Sequence, residues 1–101
     1  MVFSIKVHGK NTSNEIVAAC DSDLVGTTVS DPEREIEFNI SAEFYGNEKL
    51  EWKEIKDIIS KGKNVNLIGN KIVELAIKEE IINLSNTLEI NGIKHAQIYL
   101  I

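Results

Sequence analysis

A short apolar run, a glycine and then a helical repeat, all within residues 64–77, most constrain the fold of this chain. Residues 64–68 have the apolar content of a short strand, and Gly69-Asn70 allows a sharp turn. Asn is also a favoured residue at a helix N-terminus. The apolar residues that follow have helical spacing: Ile72, Val73, Leu75, Ala76 and Ile77. We therefore predict a buried strand, a tight turn and a helix that packs back on that strand.

The strongest local signal is a two-residue β-hairpin in residues 88–95. Asn91 and Gly92 both tolerate positive φ, which the two central positions of such a turn require. The register then pairs Ile90 with Ile93, Glu89 with Lys94, and Leu88 with His95. Apolar residues occur on both sides of the last strand, including Ile98 and Leu100, so we expect this strand inside a sheet.

Periodicity predicts the remaining elements. Strands are expected at residues 2–8, 15–20 and 34–40, one helical turn at 41–46, and a helix at 48–61. Asp21 is expected to cap a short turn after the second strand, and residues 27–32 to connect without regular structure. The element order favours an α+β fold, in which a mixed, mostly antiparallel sheet of about six strands carries two main helices. We expect a single domain over residues 1–101.

The amino-acid composition argues against several classes of function. The net charge is −5 and Arg34 is the single arginine, which argues against general nucleic-acid binding. Cys20 is the single cysteine and the histidines are His8 and His95, so neither a disulfide nor a metal site is expected, and no cofactor is predicted. The sequence contains no membrane span or signal peptide by pattern, and a cytoplasmic location is expected.

One candidate site is the start of the predicted helix at residue 71. The free N–H groups and the dipole of a helix N-terminus attract anions. The contacts would be Asn66, Gly69, Asn70 and Lys71. The run lacks the repeated glycines of a phosphate loop, so a plain turn with a cap is the favoured alternative.

A second candidate is the pair His95 and Gln97, which project from the same side of the last strand. His95 could act as an acid or base with Gln97 orienting a ligand, or it could pack over Leu88 as a structural residue. Phe44-Tyr45 could form a stacking platform, although aromatic residues in a short connection more often fill a core.

Cys20 follows an apolar run, which favours a buried structural thiol over a nucleophile. A Cys20–His95 dyad would require their strands to be neighbours.

Several short motifs in order resemble the archaeal family catalogued as domain of unknown function 424. They are Cys20-Asp21 with Leu24 and Gly26, then Glu43-Phe44-Tyr45-Gly46, Asn66-Leu67-Ile68-Gly69 and His95-Ala96-Gln97. The resemblance covers essentially the whole chain and implies an archaeal cytosolic protein with a compact α+β fold. One position departs from the family pattern, because Thr27 follows Gly26 where a basic residue is expected. The resemblance also implies a protein that is encoded near translation and ribosome-biogenesis functions.

Two functions are therefore open. The first is a non-catalytic accessory factor that docks on a ribosome or a translation factor by protein contacts with a local RNA contact. The second is a small enzyme or ligand-binding protein whose cleft contains Asn66, Gly69, His95 and Gln97. No membrane partner is expected, and the oligomeric state is left open.

Overall fold

The computed structural model describes residues 1–99, which form one six-stranded sheet, one two-stranded sheet and three α-helices. The strands are β1 (Val2–His8), β2 (Ile16–Asp21), β3 (Thr28–Asp31), β4 (Ile36–Asn39), β5 (Glu48–Glu51), β6 (Asn64–Ile68), β7 (Thr87–Ile90) and β8 (Ile93–Tyr99). The helices are α1 (Ala42–Tyr45), α2 (Trp52–Lys61) and α3 (Asn70–Lys78), and single 3-10 turns lie at Ser22–Leu24 and Leu84–Asn86. The predicted α+β class, with a mixed sheet and two main helices, is confirmed.

The large sheet has the strand order β5-β1-β2-β6-β8-β7. Strands β2 and β6 are parallel, and every other neighbouring pair among the described strands of this sheet is antiparallel. The prediction that β8 lies inside the sheet is confirmed, since β6 and β7 flank it. Leu100, also assigned to that strand, lies outside the described residues.

The C-terminal hairpin has the predicted register. Asn91 has φ 47° and Gly92 has φ 85°, as a two-residue turn of this kind requires. Glu89 lies opposite Lys94 as predicted. The Lys94 ammonium, however, forms its ion pair with Glu74 of α3, at 3.3 Å.

The predicted helix at residues 48–61 is wrong in its first four residues. Glu48–Glu51 is strand β5, which pairs with β1 at the edge of the sheet. Pairing with β1 overrides a local pattern that favours helix. Helix α2 begins at Trp52 and ends at Lys61, where the predicted helix also ends, and Lys61 and Asp57 form an ion pair at 3.2 Å.

The segment expected to be irregular at residues 27–32 contains strand β3. It pairs with β4 as a separate two-stranded sheet, because β4 offers it an antiparallel partner that no local pattern reveals. Arg34, in the turn between them, donates from Nη1 to the backbone carbonyl of Glu89 at 2.9 Å. The small sheet is thereby joined to the outer edge of β7.

Apolar cores lie on both sides of the large sheet. On one side, α2 and α3 bury Ile55, Ile59, Ile72 and Val73 against Leu67 and its neighbours. On the other side, β3, β4 and α1 cover part of the sheet around Cys20 and Ile68. Burial of each large aliphatic side chain contributes about 1.5–3 kcal/mol, so these layers are the main source of stability.

None of the described helices reaches the length and apolar character needed to cross a membrane.

We predict that Gly46→Ala destabilises the protein by about 2–4 kcal/mol. Gly46 has φ 80°, and a Cβ there would lie 2.8 Å from the Lys6 Cβ and overlap the Ile5 carbonyl oxygen. Gly26→Ala is the matched control, because Gly26 has φ 90° with nothing within 4 Å of the added Cβ. Chemical denaturation should show a clearly larger loss for Gly46→Ala, and equal losses would contradict the close approach.

Candidate functional site

Asp21 at the end of β2 caps helix α3 across the fold. Its Oδ2 accepts the Lys71 N–H at 3.1 Å, and its Oδ1 accepts the Ile72 N–H at 2.9 Å. These are the N–H groups that an N-cap side chain normally satisfies. The capping position itself is Gly69, which has no side chain. The prediction that Asp21 caps the turn after β2 is therefore wrong, because its carboxylate reaches a helix 50 positions away instead.

Gly69 allows this contact because it leaves room for the carboxylate. Its φ is 126°, and a Cβ would lie 2.7 Å from Asp21 Oδ2 and 2.8 Å from Oδ1. A larger residue at position 69 would therefore meet both a strained backbone and the capping group.

Asn70 links the start of α3 to the C-terminal hairpin rather than to a ligand. Its Nδ2 donates to the Gly92 carbonyl at 3.0 Å, and its Oδ1 accepts the Lys94 N–H at 2.8 Å. The Lys71 side chain is exposed, but its N–H is bound to Asp21. An external anion at this helix N-terminus would meet a carboxylate that already holds two of the N–H groups.

Burial raises the pKa of the Asp21 carboxyl above its usual value. The hydrogen bonds from the Lys71 and Ile72 N–H groups oppose that shift, and the nearby charge of Asp23 adds to it. The residue is 7% exposed, so desolvation is the dominant effect. Burying this carboxylate therefore costs free energy, which its two hydrogen bonds to the start of α3 offset in part.

The other side of the sheet is only partly covered. By register, alternate residues of β1, β2, β6 and β8 project to the side opposite α2 and α3. We use the term open face for eight of the exposed and half-buried members of this set: Lys6, His8, Ile16, Asn64, Asn66, His95, Gln97 and Tyr99. Tyr99 is 67% exposed, and Leu88 of β7, on the same side, is 44% exposed.

A hydrogen-bonded group of three side chains lies where the covered and open parts meet. Asn66 Oδ1 accepts the Tyr45 hydroxyl at 2.8 Å and lies 3.0 Å from His95 Nε2. Because this amide oxygen can only accept, Nε2 carries the hydrogen of this bond. Burial lowers the pKa of His95 and raises that of Tyr45, so both groups are held neutral.

A second aromatic group flanks this network. The rings of His8 and Phe44 stack with centroids 4.9 Å apart and planes 23° apart. His8 Nε2 lies 2.7 Å from the Phe44 carbonyl oxygen and donates to it. Phe44 also contacts Tyr45 edge-to-face at 4.9 Å. The three rings hold α1 against β1 and leave an aromatic edge beside the open face.

The residues proposed from sequence thus form two groups. Tyr45, Asn66 and His95 come together, with Gln97 opposite Asn66 on the neighbouring strand. The other three residues lie at the start of α3: Gly69, Asn70 and Lys71.

Cys20 is fully buried, and burial raises the pKa of its thiol to about 12. Strand β6 separates β2 from β8, so the strands of Cys20 and His95 are not neighbours, and no dyad forms.

Sequence reasoning missed His8 as a member of this region. Its partner Phe44 is 36 positions away in the chain. The available signal was the alternation of β1, which puts Lys6 and His8 together on the side away from Phe3 and Ile5. Alternation identifies the side of the sheet, but the aromatic partner depends on how α1 packs.

Comparison with known proteins identifies a family and a fold. The family model described as "Protein of unknown function (DUF424)" matches residues 9–101. A solved structure, described as that of an uncharacterized conserved protein from Methanopyrus kandleri, is similar with a TM-score of 0.77 at 20% identity. The similarity covers 100% of this chain and 93% of that chain, and at this identity it concerns the fold alone. No curated protein is significantly similar in sequence.

We predict that Gly69→Ala lowers the free energy of unfolding by about 2–4 kcal/mol, through backbone strain and overlap with Asp21. The same change in an Asp21→Ala background should cost less, because the overlapping carboxylate is gone. A double-mutant cycle by urea denaturation measures the difference as a coupling energy. A coupling energy of zero would mean that the two residues do not interfere.

We predict that His95→Gln flattens the dependence of stability on pH between about pH 7.5 and 5.5. Because burial lowers the folded-state pKa of His95, the unfolded chain binds more protons in this range. The contribution of His95 is therefore complete above the unfolded pKa and is lost as the pH falls through the folded one. Denaturation at several pH values should show a steeper acid loss for the wild type; parallel curves would contradict this.

Proposed function

The chain belongs to the DUF424 family, and we propose that it is a non-catalytic accessory protein that binds a component of the translation machinery through its open face. The link to translation comes from the family resemblance of its motifs. We also propose that the protein is cytoplasmic and archaeal. The similar structure from Methanopyrus kandleri supports the archaeal source. The observation that carries the proposal is the open face itself.

The open face has the composition of a contact surface. It presents an exposed aromatic ring, Tyr99, and exposed or half-exposed amides at Asn64, Asn66 and Gln97. Leu88 extends it with exposed apolar area. Aromatic residues are enriched at interfaces, because they combine apolar area with a polar group, and charged residues are depleted at interface centres.

The titratable groups near the open face are placed for structure, which supports a binding role. The Cys20 thiol is buried with a raised pKa, so the reactive thiolate is disfavoured at neutral pH. His95 bonds to an amide rather than to a carboxylate, and burial keeps it neutral. A catalytic histidine is usually oriented by a carboxylate that also stabilises its charged form.

One observation favours a second candidate, a small enzyme or small-ligand-binding protein. The Asn66 oxygen is occupied by Tyr45 and His95, so the Asn66 Nδ2 group remains the hydrogen-bonding function of that side chain. With Gln97 opposite, these residues could orient a small polar ligand. Gly69, the fourth residue of the cleft expected from sequence, lies instead against Asp21.

We predict that the protein co-sediments with a ribosomal subunit in a density gradient of native cell extract at low salt, and that high salt releases it. Gln97→Ala, an exposed change on the open face, should reduce co-sedimentation several-fold without altering stability. Leu84→Ala is the matched control, because Leu84 is 69% exposed and lies outside the open face. Protein found only at the top of the gradient in both salts would contradict stable association.

A further inference from the structure

The open face has the chemistry of a single-stranded RNA site. Resting on the proposed function, we infer that RNA bases bind there, stacking on Tyr99 and on the edge formed by His8 and Phe44. The amides of Asn66 and Gln97 then contact the edges of those bases. The accessory protein would then contact single-stranded RNA in its target.

The charge distribution favours RNA on this side of the molecule. The chain carries a net charge of −5, yet no side chain of β1, β2, β6 or β8 that projects to the open side is Asp or Glu. The charged residue in the open face is Lys6, whose ammonium donates to the Glu43 carbonyl at 3.0 Å. Strands that present no Asp or Glu on this side, with a lysine at the edge, tolerate a phosphate backbone better than the acidic parts of the chain.

The aromatic groups favour bases over peptide. His8 and Phe44 already form one stacked pair, with planes 23° apart, at the β1 side of the face. Tyr99 stands 67% exposed on β8, at the far end of the face. Base stacking on aromatic side chains is the common way in which β-sheet surfaces hold single-stranded RNA.

The amides between these aromatic groups provide hydrogen bonds for base edges. Asn66 lies opposite Gln97, and Asn64 lies opposite Tyr99, on the neighbouring strands β6 and β8. Amide side chains present both donors and acceptors, which match the Watson–Crick and Hoogsteen edges of unpaired bases. Duplex RNA hides those edges, so the surface should distinguish single strands from duplexes.

A hollow extends the face beyond Tyr99. It has a volume of about 190 Å³, and Ile16, Lys63, Asn64 and Tyr99 contribute to its lining. Glu15 also lines it, with one carboxylate oxygen accepting the Asn11 N–H at 3.0 Å. Lys63 thus contributes a cation and Glu15 a carboxylate at this end of the open face.

The test measures fluorescence anisotropy of a labelled oligouridylate of about eight nucleotides, a length within the site sizes of single-strand binders. The wild type should bind this RNA and bind a duplex of the same length more weakly. Tyr99→Ala should raise the Kd by about fivefold or more, because it removes one stacking partner. Leu84→Ala, equally exposed but outside the face, should leave the Kd unchanged.

Phe44→Leu provides a second variant that removes the stacked ring but keeps apolar volume. A raised Kd with an unchanged unfolding midpoint would support the stacking edge. The RNA inference is overturned if the wild type does not raise the anisotropy, or if Tyr99→Ala and wild type bind equally.

The gradient experiment separates failure of this inference from failure of the proposed function. Co-sedimentation that Tyr99→Ala abolishes, without binding of the oligonucleotide, would mean that the open face contacts a protein; the accessory role would stand and the RNA inference would fail. Oligonucleotide binding without co-sedimentation would instead contradict the proposed function while supporting the RNA site.

Discussion

The contact between the Asp21 carboxylate and the start of α3 is the interaction on which the arrangement of this protein depends. It joins the end of β2 to the helix that follows β6, and β2 and β6 are the parallel pair of the large sheet. Parallel strands need a crossing connection, and α2, which ends that connection, lies on the side of the sheet that α3 also covers. The cap holds α3 on that side. The opposite side is left to the smaller elements, which cover only part of it.

The two sides of the sheet consequently have different roles. The side under α2 and α3 carries the larger apolar cluster, while the other changes from apolar around Ile68 to polar around Asn64 within one strand. The boundary is the Asn66 amide, where the hydroxyl of a buried tyrosine and the ring of a half-buried histidine converge. Because the Asn66 amide accepts from both of these side chains and also reaches the surface, the apolar core ends here without leaving those two donors unpaired.

Sequence reasoning succeeded where structure is set by neighbouring residues. The Asn91-Gly92 turn determined the hairpin register because both residues accept positive φ, and the helical period ended at Lys61, where α2 also ends. Sequence reasoning failed where contacts between residues far apart in the chain determine the structure. Glu48–Glu51 became a strand only because β1 offered an edge, and the role of Asp21 depends on a helix 50 positions away. The candidate residues Asn66 and His95 were found from their places on strands, but the hydrogen bonds of their side chains depend on tertiary packing.

The hydrogen bond from Arg34 to the Glu89 carbonyl has a consequence for the behaviour of the protein at high concentration. Strand β7 is the last strand of the large sheet, and the outer edge of such a strand is a template on which another chain can add a strand and aggregate. The guanidinium occupies a carbonyl on that edge, and it is held by a hairpin that packs alongside. The single arginine of this chain therefore occupies one of the carbonyls through which an added strand would pair with β7.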